Sequence, residues 1–86
     1  MILKFTNSDR WNLGKLIAVH LVDVDDSGKV TRLIDLGHDG CIIDIAPTDA
    51  NPHGAIDHAP LDMRCDWSRN GFPSEEFESL WRGAIK

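Results

Sequence analysis

Lys15-Leu16-Ile17-Ala18-Val19-His20-Leu21-Val22-Asp23-Val24, then Asp25-Asp26-Ser27-Gly28, then Lys29-Val30-Thr31-Arg32-Leu33-Ile34-Asp35-Leu36, is the stretch on which the fold turns. Two segments rich in β-branched residues flank a short polar run that ends in glycine. That is the signature of a β-hairpin whose loop places Gly28 in a left-handed conformation. A loop of Asp26-Ser27-Gly28 sets Asp25 opposite Lys29. A continuous register then sets Val24 opposite Val30, Val22 opposite Arg32, His20 opposite Ile34 and Ala18 opposite Leu36. These eight residues share one face, and six are apolar, so this face is expected to be the core side, with Arg32 its weak point. The other face carries Asp23 with Thr31, Leu21 with Leu33 and Val19 with Asp35.

Outward from the hairpin the pattern stays β-like. Gly37-His38-Asp39-Gly40 is a second tight connection, and Cys41-Ile42-Ile43-Asp44-Ile45-Ala46 a third strand whose Cys41, Ile43 and Ile45 share a face. Ile2 to Phe5 reads as a further short strand. Asn7-Ser8-Asp9 is turn chemistry, with Ser8 capping a helical turn from Arg10 to Leu13. From Pro47 to Phe72 there is no clean period, and the run is read as a long irregular loop, unusual in length for a compact domain. Pro73-Ser74-Glu75-Glu76 then opens a helix, with Ser74 as N-cap and carboxylates at the positive end of the dipole. Phe77, Leu80, Trp81 and Ala84 form a single apolar stripe along it.

These elements predict one small α+β domain over residues 1–86. Its expected architecture is an antiparallel meander of three or four strands, with the amphipathic C-terminal helix packed on the sheet and the irregular loop before it. Apolar residues make up 42% of the chain and charged residues 27%, ordinary values that exclude a disordered or low-complexity chain. A domain of 86 residues buries only about 60% of its unfolded surface, so its stability margin is thin.

Charge and cysteine usage narrow the functional classes. The net charge is −5, and it is concentrated. Between residues 23 and 66 ten aspartates face only Lys29, Arg32 and Arg64, a local balance of −7. Such a surface makes nucleic acid a poor direct partner and suits a basic protein surface. Met1 to Asp9 has no signal-peptide character, and the longest apolar run is far shorter than the ~20 residues of a membrane span. A cytoplasmic location without membrane contact is therefore expected. Cys41, read as buried in its strand, and Cys65, in the loop, are read as thiols.

The motifs with chemical content are few. Asp23-Val24-Asp25-Asp26-Ser27-Gly28-Lys29-Val30 matches the opening of a calcium loop, but Ile34 stands where a bidentate glutamate is required. His53, Asp57, His58 and Cys65 include zinc-ligand types, yet the two histidines lie five apart and not on one helix face. No glycine-flanked nucleophile or phosphate-binding glycine loop is present. His20 falls on the core face and is read as a hydrogen-bonded core histidine. Trp67 is either a plug at the edge of the core or a binding anchor.

The expectation is accordingly a small, acidic, non-enzymatic binding protein without cofactor or metal. Its profile is that of inhibitor and immunity-type proteins of mobile elements, including anti-defence and anti-CRISPR proteins, an analogy of class alone. Asp23, Asp25, Asp26, Asp49, Asp57, Asp62 and Asp66 would supply the field, with Trp67 as anchor, against a protein that normally holds nucleic acid. The alternatives are a metal-binding protein or metal-dependent hydrolase using the His53–Cys65 loop, and a homodimeric structural subunit; the chain itself is read as a monomer or homodimer.

Overall fold

The computed structural model describes residues 1–6, 16–48 and 60–84. Four strands run in chain order, β1 (Ile2–Thr6), β2 (Val19–Val24), β3 (Val30–Leu36) and β4 (Ile42–Ala46), followed by a 3-10 turn (Ser68–Asn70) and one helix, α1 (Ser74–Ala84). The sheet is an antiparallel meander in the order β1-β2-β3-β4. With the helix at the C-terminus the architecture is α+β, as the sequence predicts. Ser8, the turn from Arg10 to Leu13 and Trp11 lie outside the described residues, as does much of the long loop.

Both hairpin turns follow from their glycines. The β2–β3 turn closes with Asp25 N–H donating to the Lys29 carbonyl at 3.0 Å and Gly28 N–H to the Asp25 carbonyl at 3.0 Å. Gly28 sits at φ +90° and Gly40, in the second turn, at φ +82°. An L side chain in this region places its Cβ too close to the following carbonyl, so glycine is the natural occupant.

The register departs from the continuous ladder. Val24 does pair with Val30, but Asp23 then pairs with Arg32, Val22 with Leu33, Leu21 with Ile34 and His20 with Asp35. Thr31 is the extra residue of a β-bulge, and every pair beyond it is displaced by one. Its hydroxyl donates to the Asp23 carbonyl at 3.1 Å. The physical reason is Arg32. A continuous register would hold its guanidinium on the face of Val22 and Phe5, without a counter-charge. The bulge turns it to the opposite face, where Asp23 and Glu78 receive it.

A second bulge marks β4. Leu36 pairs with Ile42 but Asp35 with Asp44, which leaves Ile43 as the extra residue. Ile42 and Ile45 therefore share the face that packs under the helix, while Ile43 is 47% exposed. The expected common face of Cys41, Ile43 and Ile45 does not form. Cys41 precedes the strand and is exposed, not buried; Cys65 is also exposed, and both are free thiols.

The sheet is covered on both sides. On one face Leu3, Phe5, Val22, Val24, Val30, Leu33 and Ala46 form a core against Leu61, Met63 and Trp67 of the long loop. On the other, Ile2, Leu21 and Ile34 pack with Phe77 of α1, flanked by Leu80, Trp81 and Phe72. The helix thus covers the face of Leu21 and Ile34, whereas Val22 and Val24, on the face read as the core side, are covered by the loop. Ser74 lies within the first turn of α1 and not at the N-cap, since the Pro73 carbonyl accepts the Phe77 N–H at 3.2 Å. Glu75 and Glu76 in the first turn and Arg82 in the last complement the helix dipole.

The two sheet edges are treated differently. Phe72 N–H donates to the Ile2 carbonyl at 3.0 Å, Gly71 bridges to Leu3, and the Asn70 side chain donates to the Lys4 carbonyl at 3.1 Å, which covers the outer edge of β1. On β4 the Asp44 carboxylate accepts the N–H of Ile45 at 2.9 Å. A charged residue that ties up a strand's own N–H discourages pairing with another chain.

Candidate functional site

The acidic residues of the β2–β3 turn and of the long loop are brought together by one backbone contact. Leu61 N–H donates to the Gly28 carbonyl at 2.8 Å. The approach is so close that a Cβ on Gly28 would lie 2.1 Å from the Leu61 carbonyl oxygen. Leu61, Met63 and Trp67 then descend onto the core beside the turn. Trp67 packs edge-on against Phe5, with ring centroids 5.8 Å apart, and its indole N–H donates to the Asp62 carbonyl at 3.0 Å. These contacts fit the reading of Trp67 as a core plug and leave its ring half-buried.

Asp62, next to Leu61, is thereby set beside Asp25 and Asp26 of the turn, and Asp66 follows in the loop toward Trp67; all four are exposed. Three of them also have local structural tasks. The Asp25 carboxylate accepts from the N–H and hydroxyl of Ser27, at 2.9 and 2.6 Å, and from the N–H of Lys29 at 3.0 Å. These donors, the Ser27 hydroxyl foremost, hold its pKa below the usual carboxylate value. Asp62 accepts from the Arg64 guanidinium and N–H, all at 3.0 Å, and its pKa is lowered chiefly by that guanidinium. Asp66 accepts the Ser68 N–H at 2.9 Å, which lowers its pKa in turn. Asp26 makes no hydrogen bond among the described residues and is the least encumbered charge of the group. Lys29 and Arg64 are the cations within these two segments.

Asp23 stands at the turn end of β2 but is committed to cations, the N-terminal ammonium at 3.7 Å and Arg32. It lies half-buried on the helix side of the sheet, with its Oδ2 accepting from Arg32 Nε at 3.0 Å and Nη2 at 2.7 Å. The same guanidinium pairs with Glu78 of α1 and lies 4.9 Å from the Phe77 ring centroid and 5.3 Å from that of Trp81. Flanked by two carboxylates and two rings, Arg32 fastens the helix to the sheet, and its pKa is raised, first by Glu78. Asp49 and Asp57, together with His53 and His58, lie outside the described residues.

The β2–β3 turn does not form a calcium loop. Strands flank it in place of helices, and Ile34 stands at the position of the bidentate glutamate. Among the described residues no group of three or more His, Cys, Asp or Glu side chains is placed to hold a metal ion. No helix among them is long and apolar enough to cross a membrane.

His20 is buried, as expected, but its partner is Asp35 and not Ile34. His20 Nδ1 and Asp35 Oδ1 lie 2.5 Å apart, both residues less than 10% exposed. The continuous register had set Asp35 on the opposite face. The signal that finds this pair is Arg32 itself: one residue of bulge removes the arginine from the core and delivers an acceptor to the histidine.

Family models, curated proteins and solved structures were compared with the chain, and none matches it.

Proposed function

We propose that this protein is a small non-enzymatic binding protein that docks its acidic end on a basic surface of a protein target, a surface of the kind that otherwise holds nucleic acid, and thereby inhibits it. The observation that carries the reading is the Leu61–Gly28 contact, which sets Asp62 beside the Asp25–Asp26 turn, with Asp66 following in the same loop. Charges grouped on one end steer encounter with a cationic partner and accelerate association more than they deepen affinity. The hydrogen bonds that Asp25, Asp62 and Asp66 accept favour their ionised forms. An immunity-type or anti-defence role, anti-CRISPR-like in character, is the biological setting this mechanism suits best.

The test uses tagged protein to capture partners from its own lysate in gentle salt, followed by association kinetics with the purified partner. Asp26→Lys is the informative variant, because Asp26 bears no part of the turn's hydrogen bonding, whereas Asp25→Lys would also dismantle the turn. Asp26→Lys is expected to slow association about tenfold at low salt while the fold melts unchanged, and wild-type association should itself slow as salt rises. An association rate indifferent to both salt and Asp26→Lys overturns the proposal.

A further inference from the structure

We draw no further inference here: the strongest candidate, the buried His20–Asp35 pair on the sheet face opposite the helix, is accounted for as a core hydrogen bond, and nothing among the described residues shows what it would act on.

Discussion

Substitution of Gly28 by alanine tests the contact on which the acidic end depends. Two costs add. A residue with a Cβ at φ +90° carries a penalty of about 1–2 kcal/mol for the left-handed backbone. The new Cβ would also stand 2.1 Å from the Leu61 carbonyl oxygen, a backbone atom that yields only if the loop lifts. Lifting the loop forfeits the Leu61 N–H bond, roughly 0.5–1.5 kcal/mol net. The expected destabilisation is about 2–3 kcal/mol by these values, equivalent to a fall in Tm of roughly 10–20 °C for a domain of this size. Gly40→Ala is the control. Gly40 has a similar φ of +82°, yet no atom lies within 4 Å of its Cβ position, so only the backbone penalty applies. Urea unfolding of both variants gives the difference, and hydrogen exchange at the Leu61 amide reports the docking directly. Gly28→Ala should cost more than Gly40→Ala and expose the Leu61 amide. Equal costs, with Leu61 as protected as in the wild type, would refute the close packing of loop on turn. The same variant should weaken partner binding, since Asp62 would leave the side of the Asp25–Asp26 turn.

Arg32→Met keeps the aliphatic stem and removes the guanidinium from Phe77, Trp81 and Asp23; a loss of about 1–2 kcal/mol in urea unfolding is expected from a partly desolvated stack of this kind, and Arg32→Lys should recover only part of it for want of the planar fork. Asp35→Val removes the acceptor from buried His20 and should cost roughly 1–3 kcal/mol, with Asp35→Asn milder because an amide oxygen remains; identical stabilities for the two would argue against the hydrogen bond. Asp25 has a folded pKa below its ordinary 3.8, so its contribution to stability is fully present above the ordinary value and is lost as pH falls through the depressed one. An NMR titration should find the Asp25 carboxyl below that value, and Asp25→Asn should blunt the acid-side loss of stability; a titration midpoint at or above it contradicts the turn geometry.

The meander and its helix were legible because their signals are local. Gly28 and Gly40 announce turns by what a Cβ would suffer there, and alternating β-branched residues announce strands. The stripe of Phe77, Leu80 and Trp81 announces a helix with one face to bury. The site was legible only in part. Asp25, Asp26, Asp62 and Asp66 could be named as acids, but nothing local says that a loop more than thirty residues downstream returns to sit on the turn. Composition groups Asp23 with them, but its carboxylate is committed to Arg32.

What the sequence determined by itself is the element order, the turn positions and the concentration of negative charge in the middle of the chain. All three follow from interactions between near neighbours and from composition. What only the tertiary structure decided is the register beyond Val24, the face that the helix covers and the convergence of the acidic segments. The register was settled by the cost of burying a guanidinium. The bulge at Thr31 is favourable because Glu78, 46 residues away along the chain, arrives on α1 to share Arg32 with Asp23. That balance involves partners distant in sequence, so no local pattern could reveal it, and it carries His20 to Asp35 as well.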